Sequence, residues 1–406
     1  MIELASNKKQ RWITAFAVFS FFSIYYYLMI VCNPPVDIRW SDIHMHAAMA
    51  HSFVVNHDNI PPNFLYDFLI ALMSGFSNQQ SVYYTASIIL LSIAVTAKFL
   101  VTHGYLLKYA ASSSKAVTLY ALAMMMLFVF PLPGLDFLQK NNFYLGQLPP
   151  NVWHNPTVIL VMPFAVLLFF KSYELLFEKD TEHNRKLLIQ IAILIAVNAL
   201  IKPSFLFTLI PSVLIIFGYN KFFLFKNARN KYTQLLPYLF GIFFVAAEYY
   251  VIYKLNYTNS TFNSFSNTDG HSSIIVAPFE VWKAFSSNIF IAMITSLFFP
   301  LSYIFVAKGS PFKNTIVQFA TVNFSIAFAI WVLFAEEGGR EFHGNFIWQV
   351  VITTYLLFFS LLLNFIREVE LKHISHKNKL IIGGAFLLHF IWGIVYWLKI
   401  INSGYL

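Results

Sequence analysis

The run "WITAFAVFSFFSIYYYLMIVC", from Trp12 to Cys32, holds 21 residues without a single charge. A helix needs about 20 apolar residues to cross the roughly 30 Å hydrocarbon core of a bilayer. Of the 406 residues, 58% are hydrophobic and 11% are charged, whereas a soluble domain carries about 25% charged residues. The sequence therefore predicts an all-α polytopic membrane protein, with one integral-membrane domain over residues 1–406.

Hydropathy along the chain predicts eleven transmembrane helices. The first should be retained in the mature protein, since the run is too long for a signal peptide and no A-x-A-like cleavage site follows it. The predicted spans cover residues 12–32, 82–102, 116–133, 156–173, 187–201, 204–219, 234–253, 287–307, 315–335, 345–366 and 379–399.

The charged residues predict the orientation of these spans. Lys8, Lys9 and Arg11 precede the first span and favour a cytoplasmic amino terminus. With eleven spans, 20 of the 27 Lys and Arg then lie on the cytoplasmic side, which is the expected positive-inside bias. The carboxyl terminus is then periplasmic, and so are ten of the 18 Asp and Glu. Those acids either solvate loops or take part in chemistry on the outer face.

Residues 33–80 are predicted to form the first periplasmic loop, with two interfacial helices. "SDIHMHAAMAHSFVVNHDN" is typical of a helix capped by Ser41, and the prolines of "IPPN" end it. "NFLYDFLIALMSGF" is apolar, but its 14 residues are too few for a span. We interpret it as an interfacial or re-entrant helix.

Cysteine and histidine usage does not indicate a metal centre. The lone Cys32 excludes an intrachain disulfide framework and a cysteine-based cluster. His44, His46, His51 and His57 lack a tight ligand spacing such as HExxH, so we expect imidazoles at the headgroup level and His44 as a substrate contact. The net charge of +9 follows from membrane topology, and no nucleic-acid partner is expected.

Two carboxylates, Asp37 and Asp42, follow the first span directly in "VDIRWSDIH". A carboxylate at the lip of a membrane cavity can accept a proton from an attacking hydroxyl group. Asp42 could instead simply begin a helix, where the helix dipole favours a negative charge. Both aspartates are candidate catalytic residues.

The segment "LGQLPPNVWHNPT", from Leu145 to Thr157, joins a stiff turn to aromatic and hydrogen-bonding side chains. Trp153 offers a flat apolar face, while His154 and Asn155 offer hydrogen bonds, a combination that suits a polyol. The alternatives are an interfacial tryptophan and an asparagine that caps the next helix. We expect these three residues to contact substrate.

Lys202 stands between two apolar runs in "NALIKPSFLF". An ionisable group at membrane depth indicates function by default, and lysine is a good point-charge partner for phosphate. Snorkelling toward lipid headgroups is an equally acceptable explanation.

The stretch "FAEEGGREFHGNF", from Phe334 to Phe346, concentrates charge between two apolar runs. Glu336, Glu337, Arg340, Glu341 and His343 cannot all lie unpaired in hydrocarbon. Arg340 is suited to grip a phosphate through two parallel hydrogen bonds, and the other four are expected to contact substrate. A self-contained, salt-bridged hairpin is the alternative.

The layout resembles the GT-C superfamily of integral-membrane glycosyltransferases, whose catalytic acid lies in the first extracytoplasmic loop, as "VDIRWSDIH" does here. Members of similar size decorate bacterial surface polysaccharides, including O-antigen, in the inner membrane. The resemblance implies a polyprenyl-phosphate-linked sugar donor and a glycan acceptor. Asp42 or Asp37 would then activate the acceptor hydroxyl, while Lys202 and Arg340 would hold the leaving phosphate.

The resemblance also implies that Trp153, His154 and Asn155, within "VWHN", contact sugar. Some relatives use a divalent cation and others do not, so a divalent cation stays open as a cofactor. The rival functions are a polysaccharide polymerase or ligase and a transporter or flippase of lipid-linked oligosaccharide. Transporters usually show internal repeats and polar residues within their spans, whereas here the polarity gathers on one side.

Overall fold

The apolar runs form helices in the computed structural model of the chain, which describes residues 2–32, 42–58, 63–109, 116–140, 146–178, 184–222, 232–251, 273–337, 341–342 and 344–403. Seven helices of this described part are long and apolar enough to cross a membrane, and an eighth span results if two helices joined at a 70° bend count as one. The protein is therefore an all-α polytopic membrane protein.

The helices are numbered here in chain order. They are α1 (Ile2–Tyr27), α2 (Asp42–Asn56), α3 (Leu65–Met73), α4 (Gln80–Tyr109), α5 (Ala116–Phe128), α6 (Leu135–Lys140), α7 (Pro156–Phe177), α8 (Asn184–Ile201), α9 (Leu206–Phe222), α10 (Leu236–Tyr249), α11 (Glu280–Phe285), α12 (Ile289–Ser296), α13 (Phe298–Val306), α14 (Thr315–Leu333), α15 (Trp348–Glu370) and α16 (His376–Ser403). Two short strands, β1 (Ile274–Val276) and β2 (Phe334–Glu336), pair antiparallel.

The predicted count of eleven spans is not confirmed. Helices α5 and α10 have 13 and 14 residues, so at 1.5 Å per residue each reaches only about 20 Å. Helix α8 has 18 residues, but it begins with Asn184, Arg185 and Lys186, and the apolar remainder is short. Helices α12 and α13 form the bent pair that replaces the predicted span 287–307.

Helix α15 runs through the middle of the bundle. Every residue from Trp348 to Asn364 is buried, whereas α1 and α16 expose many large apolar side chains on the outside. An apolar outer surface is what a helix facing lipid requires, because lipid tails are as apolar as its side chains. Aromatic rings fill the space between helices, as where Phe169 stacks on Phe319 at 4.9 Å.

Irregular backbone enters the bundle after the short helix α5. Residues 129–134 are not helical, and Val129 and Phe130 are buried. Asn151 donates to the carbonyl of Val129 at 2.8 Å, and His389 donates to that of Phe130 at 2.6 Å. Non-helical backbone at membrane depth is tolerated only where protein groups satisfy it in this way. These bonds also fix the segment that leads into α7.

The segment between the first two apolar helices contains two shorter helices, as predicted. Helix α2 consists of "DIHMHAAMAHSFVVN", and α3 consists of "LYDFLIALM". The two helices pack against each other and against α4 and α7, which brings the start of α2 to the start of α7. The predicted Ser41 cap lies outside the described residues, and the position of both helices at the membrane surface stays a prediction.

Candidate functional site

The site begins with a hydrogen bond between two helix starts. Asn155 precedes α7 and caps it: its Oδ1 accepts from the backbone N–H of Val158 at 3.0 Å. Its Nδ2 donates to Asp42 Oδ2, at the first residue of α2, at 2.7 Å. One side chain therefore caps the start of α7 and also holds a carboxylate that is 113 positions away in the sequence. The predicted cap is confirmed, and it is joined to the predicted catalytic acid.

Lys202 extends this polar chain. It follows α8 directly, in an extended backbone conformation that turns the chain toward α9. Its Nζ donates to Thr157 Oγ1 at 3.2 Å, and Thr157 in turn donates to Asn155 at 2.9 Å. The ammonium group also lies 5.2 Å from the ring centroid of Trp348, within the range of a cation–π contact.

Three carboxylates act electrostatically on the Lys202 ammonium group. Burial lowers the pKa of Lys202 to about 8. The charges of Asp42, Glu248 and Glu336 oppose this shift, so all three carboxylates act on the same cation. Each comes from a different element: α2, α10 and β2. Segments far apart in the sequence therefore converge on Lys202.

A cavity of about 740 Å³ opens beside Lys202. Its wall is mostly apolar and comes largely from α9 and α10; its charged and amide-bearing members are Asn63, Lys202, Glu248, Glu336 and Asn345. Pockets that hold organic ligands typically measure about 300–1,000 Å³ and combine an apolar lining with a few polar groups. On α10, Ile242 lines the cavity and is 43% exposed.

Strand β2 brings one of the three predicted glutamates into the cavity and leaves two outside it. Glu336 is 3% exposed and accepts a hydrogen bond from Asn345, which also lines the cavity. Glu337 directly follows β2, is exposed, and accepts a hydrogen bond from the hydroxyl of Ser273. Partial burial and the carboxylate of Glu280 raise the pKa of Glu341. Glu337 and Glu341 are not part of the cavity lining.

The other candidates of "VWHN" lie in different surroundings. His154 is buried, and its ring centroid lies 6.2 Å from that of Trp348. Burial lowers the pKa of His154, and the charge of Asp42 partly opposes this effect. Trp153 is 4% exposed and stacks on Phe22 of α1 at 5.3 Å. The structure therefore brings His154 to the site and packs Trp153 into the aromatic core.

His44 contacts the end of the first span instead of the cavity. Its Nε2 donates to the carbonyl of Ile30 at 3.1 Å, and its ring lies against Tyr84. Burial lowers the pKa of His44. These contacts give it a structural role between α1, α2 and α4. Asp37, Arg340 and His343 lie outside the described residues.

Sequence reasoning missed several members of this site. Trp348 and Asn345 fall within the predicted apolar span 345–366, yet both line the cavity. His46, one turn after Asp42 on α2, has its Nδ1 2.8 Å from Asp67 Oδ1. The four-residue spacing of Asp42 and His46 was the available signal, since such residues share one face of a helix.

A second polar cluster lies deeper in the bundle. Lys98 is buried within α4 and donates to Asn151 Oδ1 at 2.5 Å. Its Nζ also lies 3.9 Å from the ring centroid of Tyr355, whose hydroxyl is 2.7 Å from Thr102 Oγ1. These contacts brace the segment that carries His154 and Asn155.

The described residues contain no group of three or more His, Cys, Asp or Glu arranged to hold a metal ion. Asp42, Lys202, Glu248 and Glu336 instead form a mixed-charge site beside an apolar cavity. Such a site can hold a molecule that has both a charged group and a long apolar part. The sequence matches no protein-family model and no curated protein.

Proposed function

We propose that this protein is an integral-membrane glycosyltransferase of the GT-C type. It transfers a sugar from a polyprenyl-phosphate donor to a surface polysaccharide, such as O-antigen, or to a lipid-linked glycan. The reaction takes place on the periplasmic face of a bacterial inner membrane. The observation that carries this proposal is the apolar cavity of about 740 Å³ that has Lys202 in its wall.

The cavity fits both parts of such a donor. Its apolar wall on α9 and α10 suits a polyprenyl chain. Lys202 supplies the cation for the phosphate. A second cation from Arg340 stays a prediction from the sequence, since Arg340 lies outside the described residues. The sugar lies toward Trp348 and Glu336, because aromatic faces and carboxylates suit the apolar and hydroxyl faces of a sugar ring.

The polar chain connects this phosphate position to a base. Asp42 takes the proton from the acceptor hydroxyl, whose oxygen attacks the anomeric carbon. The bond between that carbon and the phosphate oxygen breaks, and its electrons remain on the phosphate, where Lys202 stabilises the new charge. Asn155 holds Asp42, and Thr157 orients Lys202. No nucleotide is needed in this scheme.

The proposal includes the eleven-span topology, with a cytoplasmic amino terminus and a periplasmic carboxyl terminus. It requires that α5, α8 and α10 also cross the membrane. Under this topology the site opens to the periplasm, where lipid-linked sugars are used.

A transporter of lipid-linked oligosaccharide is the second candidate, and the apolar cavity favours it. The two functions differ in whether a covalent bond breaks. Purified protein in proteoliposomes is given a radiolabelled polyprenyl-phosphate sugar and a glycan acceptor, and the products are separated by extraction. A transferase yields labelled glycan and free polyprenyl phosphate, whereas a transporter moves intact donor across the bilayer.

The Asp42→Asn variant tests the base. Its amide oxygen can still accept from Asn155, so the local fold is kept while the charge is removed. We expect a fall in transfer of about 10²–10⁴-fold, with unchanged membrane insertion. Glu368→Gln, at the far end of α15, is the matched control. Full activity of Asp42→Asn would contradict the assignment of the base.

A further inference from the structure

The pair formed by His46 and Asp67 has the geometry of an oriented base. His46 Nδ1 donates to Asp67 Oδ1 at 2.8 Å, and Asp67 is 3% exposed. The second carboxylate oxygen of Asp67 is buried and has no hydrogen-bond partner among the described residues. The edge of the His46 ring also meets the ring of Tyr66 at 5.5 Å. Asp67 and Tyr66 thus fix the imidazole from α3.

This arrangement determines which ring nitrogen is available. With the proton on Nδ1 directed at a carboxylate, the neutral imidazole has its lone pair on Nε2. None of the described residues forms a hydrogen bond with Nε2, and 14% of the side chain stays exposed. A nucleophile-activating base that is itself oriented by a third group is the general pattern of such sites.

His46 faces the site described above. It lies four residues after Asp42 on α2, so the two Cβ atoms are about 5–6 Å apart on one helix face. The charges of both Asp42 and Lys202 act on the imidazole. The relay requires that the Asp42 carboxyl group reach His46 Nε2 directly or through one water.

We propose that His46 is a proton-relay residue of this site, and that Asp67 orients it. The inference rests on the proposed glycosyl transfer. Asp42 takes the proton from the acceptor hydroxyl as the oxygen bonds to the anomeric carbon and the phosphate leaves with the bonding electrons. The Asp42 carboxylic acid then passes that proton to His46 Nε2, and the imidazolium releases it to water. Asp42 is thereby returned to its carboxylate form for the next turnover.

The relay requires a neutral His46 at the start of each cycle, which makes it sensitive to pH. Burial lowers the pKa of His46, but the charge and hydrogen bond of Asp67 outweigh this effect and raise it overall. Asp42 adds to the increase, while Lys202 opposes it. Activity is therefore lost as the pH falls through a value above about 6.5, the ordinary value for histidine.

The test compares the pH dependence of kcat/KM in the wild type, Asp67→Asn and His46→Gln, in proteoliposomes between about pH 5 and pH 9. For Asp67→Asn we expect the acid limb to move to lower pH, because the group that raises the His46 pKa is gone. For His46→Gln we expect the acid limb to disappear and the rate at neutral pH to fall about 10²-fold. A uniform loss of rate in both variants, with the limb unmoved, would mean that the pair is only structural and would overturn the inference.

A second measurement does not depend on turnover. Diethyl pyrocarbonate modifies neutral imidazole, and tandem mass spectrometry assigns the adduct to each histidine of α2. Modification of His46 should titrate above the ordinary histidine range in the wild type and at lower pH in Asp67→Asn. His44, whose Nε2 is engaged by Ile30, is the internal control and should react slowly in both.

Together the two measurements distinguish a failure of the proposed function from a failure of the relay alone. If His46 titrates as expected but no variant or donor gives sugar transfer, the proposed function fails and the relay fails with it. If transfer occurs while neither the limb nor the modification responds to Asp67→Asn, the relay alone is overturned and the glycosyltransferase stands.

Discussion

Asn155 has two roles that a pair of substitutions can separate. Its Oδ1 caps α7, and its Nδ2 donates to Asp42 at 2.7 Å. Serine is about as good a helix cap as asparagine, but its shorter side chain cannot also donate to Asp42, and alanine can do neither. Asn155→Ser therefore removes the contact with Asp42 and keeps the cap, whereas Asn155→Ala removes both.

The size of each effect follows from the contact that is lost. A hydrogen bond to a charged group contributes about 1.5–3 kcal/mol, so its loss should lower kcat/KM by roughly 10- to 150-fold in both variants. Loss of the cap costs a further ~1 kcal/mol of unfolding free energy, in Asn155→Ala alone. The two variants should thus be equally impaired in catalysis and unequal in stability.

The assay combines sugar transfer in proteoliposomes with thermal unfolding in detergent. Asn288→Ser is the matched control, since Asn288 caps α12 through the N–H groups of Phe290 and Ile291 and is not among the residues of the site. Wild-type transfer by Asn155→Ser would refute the role of the contact with Asp42. A loss of activity that simply follows stability across the three variants would refute it as well.

Two other predictions concern the charge of Lys202 and the topology. Because the pKa of Lys202 is about 8, a protonated Lys202 binds donor phosphate below that pH, and kcat/KM for the donor should fall as pH rises through it. Lys202→Arg should remove this basic limb, while Lys379→Arg on exposed α16 should leave it in place. A reporter fused after Gly270 should indicate the periplasm, and a cytoplasmic signal would overturn the eleven-span topology.

The sequence predicted the helices well because their apolar length is a local property. The same reasoning failed to count the spans, because hydropathy does not show where a helix ends inside the bundle. Helix α5 stops at Phe128, and the backbone after it stays buried because Asn151 and His389 satisfy its carbonyl groups. These partners come from distant segments, so no window of sequence around residue 130 contains the information.

The site residues show the same limit. Glu336 and Glu337 are adjacent in sequence, and only the pairing of β2 with β1, some 60 positions away, directs one inward and the other outward. Trp153 is predicted to contact sugar, but in the structure it packs against Phe22 on α1. The sequence favours His44 over His46 as a substrate contact, because helix periodicity alone does not show that Asp67 lies beside His46.

The members of the site share one position in their elements: they stand at ends. Asp42 is the first residue of α2, Asn155 caps α7, Lys202 follows α8, Glu336 ends β2 and Trp348 begins α15. Backbone groups at helix ends lack partners within the helix, so polar side chains are needed there in any case. Within hydrocarbon the same side chains would be costly. A membrane protein can therefore gather a base, a cation and hydrogen-bond donors most cheaply where several helices begin or end together, and a cavity at that level gives them a ligand of mixed polarity to act on.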